Sequence, residues 1–193
     1  MATKFKTIKH FHEAGDLHEL TFSCYHQMQL LTNDVWRGYL ARAIDEACEA
    51  KRFDLVAFVF MLEHVHLLVF PRAAEPDLAG FLAGIKRPTS RQVKEDLERS
   101  QSELLETLTI RERPGKYCFR YWQEGPGYDR NLKSIAAVTA SIDYIHLNPV
   151  RRNLVSRASD WRWSSAKYYE SEGAAIDPLL PRITPLPAEF WLE

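Results

Sequence analysis

Along LHELTFSC the apolar positions Leu20, Phe22 and Cys24 alternate with polar ones, the period-two pattern of a strand with one buried face. The period then changes. Val35, Tyr39, Ala43 and Ala47, together with Trp36, Leu40 and Ile44, recur at helical spacing, and Thr32 or Asn33 is placed to cap a helix from about Asp34 to Lys51. FDLVAFVFML and HVHLLVF read as two further strands, joined at Leu62-Glu63 as an antiparallel hairpin. Beyond Pro71, helical spacing returns at Leu78, Phe81, Leu82 and Ile85. Pro88 is expected to kink the chain before a second helical run, TSRQVKEDLERSQSELLETLT. GKYCFRYWQEG reads as the fourth strand, ended by the turn GPGYD, and NLKSIAAVTASIDYIHLN as a helix stopped by Pro149. Strand, helix, hairpin, helix, strand, helix predicts an α+β fold: a ferredoxin-like antiparallel sheet with helices mainly on one face, its strand order left open. Without a repeat or a linker, residues 1–175 are expected to form one domain, followed by a proline-spaced tail over residues 176–193.

Composition narrows the class. The 193 residues, 46% hydrophobic and 12% aromatic, are enough for one domain with a proper core. No segment approaches the roughly 20 continuous apolar residues that span a bilayer. The stretch MATKFKTIKHFHEAGDLHE lacks the apolar core of a signal peptide, and Cys24, Cys48 and Cys118 are scattered and odd in number. A cytoplasmic protein with reduced, buried cysteines is expected. The net charge of −1 offers no global attraction to nucleic acid. Its distribution is uneven, however. Acidic residues crowd the stretch from Glu95 to Glu106, Arg111, Arg113, Lys116 and Arg120 follow directly, and Arg151, Arg152, Arg157 and Arg162 form a second group. A local basic face is compatible with a nearly neutral total.

The chemistry is concentrated in MLEHVHLLVF. Residues two apart on a strand share a face, so His64 and His66 project side by side while Val65 points the other way. Two readings are open for such a pair: half-exposed histidines on a polar strand face, or two ligands of a metal ion. In SIDYIHLNP, Tyr144 and Asn148 are four apart and share one helix face. Tyr144 fits a half-buried aromatic as well as a nucleophile, and Asn148 before Pro149 fits a helix terminator as well as a ligand. Glu63 fits a solvated turn carboxylate or a helper of the histidines.

EHVHLLV, FRYWQEGPGYDRNLKS, DYIHLNPVRRNLV and DWRWSS, in that order and spacing, resemble the REP-associated tyrosine transposases of the HUH single-strand DNA transposase and nuclease superfamily. The resemblance covers roughly residues 12 to 170. It implies that His64 and His66 bind a divalent cation, Mg²⁺ or Mn²⁺, that Asn148 completes the metal site, and that Tyr144 is the catalytic nucleophile. Such a protein cuts and rejoins single-stranded or hairpin DNA through a 5′-phosphotyrosine link, as a monomer or a homodimer. Lys86, Arg87, Arg91, Arg120, Arg130, Arg151 and Arg152 are then candidate phosphate contacts. Trp122, with Tyr121, Trp161 and Trp163, is a candidate platform for stacked bases. For Lys86, Arg87 and Arg91 a solvated helix face is the plain alternative, and for Trp161 and Trp163 it is packing in the core. A second implied function is a domesticated protein that binds hairpin DNA without cutting it. Two positions depart from the family pattern: Leu62, where relatives have proline, and Asn153, where glycine is common.

Overall fold

In a computed structural model, which describes residues 16–125 and 127–186, the chain builds one four-stranded antiparallel sheet. Its strands are β1 (Leu17–Ser23), β2 (Phe53–Phe60), β3 (His64–Pro71) and, after two shorter strands considered below, β6 (Tyr128–Leu132). The order across the sheet is β2-β3-β1-β6. Helix α1 (Asp34–Lys51) connects β1 to β2, and α2 (Leu78–Arg99) follows β3. This is the ferredoxin-like βαββαβ arrangement with two additions. One, between α2 and β6, comprises the short helix α3 (Leu104–Leu108) and a separate hairpin of β4 (Thr109–Arg113) and β5 (Lys116–Phe119). The other is α4 (Ile135–Arg151), which follows β6, with a last short helix, α5 (Ala166–Glu170), beyond it.

Alternation along the strands divides the sheet into two faces. Leu20 and Phe22 of β1 and Val65, Leu67 and Val69 of β3 join Leu40, Ile44, Phe81, Ile85 and Val93 of α1 and α2 in the larger core. On the other face Leu17, Val59, Leu68 and Leu132 pack against Val138, Ile142 and Ile145 of α4. The helices therefore lie mainly on one face, as expected, and the exceptions are the helix that carries Tyr144 and the short α5, whose Tyr169 packs on the same second core. The cap of α1 is also as read, with the Asn33 side chain accepting from the backbone N–H of Val35 at 2.9 Å.

Four expectations need correction. Pro88 does not divide a helix; α2 runs through it for 22 residues. Phe81, Ile85, Thr89, Val93 and Leu97 are buried on one stripe that spans the proline, and this burial offsets the roughly 3 kcal/mol that an interior proline costs. Pro149 likewise lies inside α4, whose last residue is Arg151. The fourth strand of the sheet is not GKYCFRYWQEG, whose β5 portion pairs only with β4, but Tyr128–Leu132, expected to be turn and helix start. Ser134 caps α4, accepting from Ala137, so that helix starts later than its sequence suggested. Asn153 stands at φ 55°, the left-handed region that asparagine tolerates and glycine favours. The domain boundary at 175 includes residues 1–15, and the tail includes residues 187–193, both outside the described residues. No described helix is long and apolar enough to cross a membrane.

Candidate functional site

His64 and His66 occupy the α4 side of the sheet because Val65, Leu67 and Val69 take the other. Their rings stand at 90° with centroids 4.8 Å apart, and their Nε2 atoms approach to 3.0 Å. Each Nδ1 is held from behind. His66 Nδ1 lies 2.8 Å from the hydroxyl of Thr21, its direct neighbour across the β1–β3 ladder. His64 Nδ1 donates to Glu63 Oε1 at 3.0 Å, and Arg152 donates to the same oxygen at 2.6 Å. A carboxylate only accepts, so the proton of neutral His64 is on Nδ1 and its Nε2 presents a lone pair to His66.

Burial keeps both imidazoles neutral. It lowers the pKa of His64, with Glu63 working in the opposite direction, and it pushes His66 down to about 3, helped by the neighbouring His64. Burial pushes the Glu63 carboxyl up, but Arg152 and His64 outweigh it and leave the pKa below the usual range. Glu63 is therefore a positioning group for His64 rather than a solvated turn residue.

Helix α4 brings the other two side chains. Asn148 is buried, with Nδ2 3.2 Å from His66 Nε2. The two ends of an amide are alike in shape, and turning this one over aims Oδ1 at the imidazole pair. Asn148 is not the helix cap, a place taken by Arg152. Tyr144, one turn earlier, is 40% exposed, and its ring meets that of His66 edge to face, with centroids 5.4 Å apart. The guanidinium of Arg151 lies over the Tyr144 ring at 5.2 Å. A cleft of about 450 Å³ opens between α4 and the sheet, lined by Glu19, Thr21, His66, Tyr128, Arg130, Ser141 and Tyr144.

Two neutral imidazole nitrogens and an amide oxygen make a mixed donor set that suits Mg²⁺, Mn²⁺ or Zn²⁺. Hydrogen bonds behind both rings are the outer support that imidazole ligands ordinarily have. Among the described residues no group of three or more His, Cys, Asp or Glu side chains could hold a metal, and the amide nearest the imidazole pair is that of Asn148.

The candidate DNA contacts divide between the faces. Arg130, Arg151 and Arg152 belong to the cleft side, with Arg130 4.0 Å from Glu19 and Arg152 engaged by Glu63. Lys86, Arg87 and Arg91 are on α2, across the sheet. The Lys86 ammonium lies 5.0 Å from the Phe22 ring centroid and its pKa is lowered by burial, while Arg91 pairs with Glu95. Arg120 is tied to Glu112 and Glu124. Trp122 is a correction: it is 7% exposed, packs edge-on against Phe22 and donates to the Lys86 carbonyl, so no face is open to a base. Tyr121 is fully buried too, and the indole N–H groups of Trp161 and Trp163 donate to the Phe60 carbonyl and Asp34.

Sequence reasoning missed Thr21 and Glu19. Thr21 lies between the apolar Leu20 and Phe22 and Glu19 between His18 and Leu20, and only the register that sets Thr21 opposite His66 reveals its part. Glu19 is buried in the cleft and accepts from Ser141 at 3.0 Å.

Residues 17–109 match the family model of the IS200-like transposases. A Haemophilus influenzae protein named as a REP-associated tyrosine transposase is 26% identical over 143 residues, spanning 70% of this chain and 76% of that protein. A solved structure of a REP-associated tyrosine transposase bound to a REP hairpin shares the fold at a TM-score of 0.63 and 17% identity, covering 98% of this chain and 96% of the other. The chain is thus similar to the IS200-like transposases over residues 17–109 and to a REP-associated tyrosine transposase along most of its length.

Proposed function

We propose that this protein is a metal-dependent single-stranded DNA endonuclease and strand transferase that acts on hairpin repeats through a 5′-phosphotyrosine intermediate. The observation that carries the reading is the meeting of Tyr144 with His66, ring to ring at 5.4 Å, while Asn148 and His64 close on the same imidazole. The relatives support the DNA partner, since one is named a REP-associated tyrosine transposase and the other shares the fold while holding a REP hairpin. All four side chains lie on one chain, an arrangement compatible with a monomer or a homodimer.

In the proposed step the Tyr144 oxygen forms a bond to the scissile phosphorus and the bond from phosphorus to the 3′ oxygen breaks. The 3′ oxygen leaves with a proton as a hydroxyl, and the 5′ phosphate stays on the tyrosine. A second 3′-hydroxyl reverses the exchange, taking the phosphate and returning a proton to the phenol. Bond energy is stored, so strand transfer needs no nucleotide cofactor. His64, His66 and the Asn148 oxygen would hold Mg²⁺ or Mn²⁺, which supplies Lewis-acid polarisation of the phosphate. Thr21 and Glu63 fix the ring orientations, and Arg130 and Arg151 put positive charge at the rim of the cleft.

The test is cleavage of labelled hairpin oligonucleotides, taken from the sequence flanking the protein's own gene, in Mn²⁺ or Mg²⁺. Wild type and Tyr144→Phe are compared on a denaturing protein gel. A labelled protein–DNA adduct that the substitution abolishes supports the transesterase. Tight hairpin binding with no adduct from either protein would show instead a hairpin-binding protein without cleavage activity.

A further inference from the structure

The β4–β5 hairpin stands apart from the main sheet, and its surface is sorted by charge. Arg111 lies directly opposite Tyr117, which is 64% exposed, and Arg113 is exposed beside the turn made by Pro114 and Gly115. Gly115, at φ 76°, supplies the left-handed residue that this turn needs. Glu112 is occupied by Lys116 and Arg120. Among the described residues, neither the Arg111 nor the Arg113 side chain has an ion-pair or hydrogen-bond partner. Two unneutralised guanidinium groups and an open phenol ring on one small ribbon suit a polyanion that also offers flat surfaces.

The ribbon is rooted beside the candidate site. The residues after β5 run along the end of β1: Tyr25 N–H donates to the Tyr121 carbonyl at 2.8 Å, Cys24 bridges to Trp122, and Gln123 N–H donates to the Ser23 carbonyl at 2.8 Å. Ser23 is the cross-strand partner of His64. The ribbon therefore leaves the body at the sheet end where the histidine pair sits. Five residues of β4 extend about 17 Å, which equals about five steps along one DNA strand.

We infer that the β4–β5 ribbon is an arm that grips the duplex stem of the hairpin whose single strand enters the cleft, with Arg111 and Arg113 on the phosphates and Tyr117 against the sugar–base edge. This rests on the hairpin-DNA reading above and adds the surface that holds the stem. Each phosphate contact on duplex DNA contributes a salt slope of about −0.9, so losing two makes the slope shallower by about 1.8 and, at about 0.1 M salt, weakens binding by up to roughly 60-fold.

The experiment is fluorescence anisotropy with wild type and the Arg111→Ala/Arg113→Ala double variant, across a range of salt concentrations. Two probes are used: a hairpin with a stem of about 10 base pairs, near one helical turn, and the same single-stranded segment without the stem. Adduct formation on the stemless probe is followed in parallel. The expected result is weaker, less salt-sensitive hairpin binding by the variant, recovery by Arg→Lys replacements, and unchanged affinity and adduct yield on the stemless probe. Equal hairpin binding by both proteins, or an equal loss on both probes, overturns the arm. A wild type that binds neither probe and forms no adduct overturns the hairpin-DNA reading itself.

Discussion

Replacing Thr21 by valine removes one hydroxyl and leaves the shape of the side chain nearly unchanged. That hydroxyl is 2.8 Å from Nδ1 of His66, which lies almost wholly inside the protein. Its loss leaves a buried ring nitrogen without a partner, at a cost of about 1–3 kcal/mol. Outer hydrogen bonds to metal-binding histidines carry about 10–100-fold in metal affinity, or about 1.4–2.8 kcal/mol at tenfold per 1.4 kcal/mol. The two estimates agree in size because both describe a ring freed to turn and to change which nitrogen carries its proton. Thr21→Val is thus expected to weaken Mn²⁺ binding by about one to two orders of magnitude, read by titration calorimetry or by the free-Mn²⁺ electron paramagnetic resonance signal. It should lower the midpoint of thermal unfolding by roughly 2–10 °C, and Thr21→Ser should recover most of both. Valine and serine variants that bind Mn²⁺ as wild type does would refute the argument. So would a loss of metal affinity that serine fails to restore, because the methyl and not the hydroxyl would then be responsible.

Two further outcomes follow from other parts of the molecule. His146 is buried, with Nε2 2.8 Å from the Ser165 hydroxyl, and burial pushes its pKa down to about 4. The unfolded chain takes up the proton below about pH 6.5 and the folded one resists, so this group's contribution is intact above pH 6.5 and declines toward pH 4, by up to about 3 kcal/mol. Urea unfolding of wild type and His146→Gln between pH 7 and 4 should therefore converge as the pH falls; parallel curves would contradict the assignment. Gly127 precedes β6 at φ 76°, and a Cβ there would collide with the Thr21 carbonyl oxygen. Gly127→Ala should cost more than the roughly 1–2 kcal/mol of left-handed strain alone, measured by chemical denaturation, because β6 must move from its place against β1; unchanged stability would count against the β6 register.

Much of the site was legible in the chain, for local reasons. The strand period puts His64 and His66 on one face whatever the strand pairs with, and helical spacing does the same for Tyr144 and Asn148. What brings the two pairs together is tertiary, namely the packing of α4 on the face opposite α1 and α2. The fourth strand was hidden because Tyr128-Asp129-Arg130-Asn131 has no apolar alternation; it is extended through its ladder with β1, not through burial. GKYCFRYWQEG misled in the opposite way. Its aromatic residues look like a sheet strand, but Tyr121 and Trp122 enter the core just after β5 has ended. Pro88 is instructive as well, since the buried stripe from Phe81 to Leu97 keeps its spacing across the proline. The longer period outweighs the single breaker.

The division of labour along β3 has a practical consequence for anyone altering this protein. Odd-numbered positions from Val65 to Val69 belong to the larger core, whereas His66 lines the cleft and His64 stands beside it on the same face. Libraries built on one set or the other sample thermal robustness and reactivity as nearly independent traits. Deleting one residue within the strand is a different matter. It exchanges the two sets, sending imidazoles into the packed layer and aliphatic groups into the cleft, and both traits collapse together.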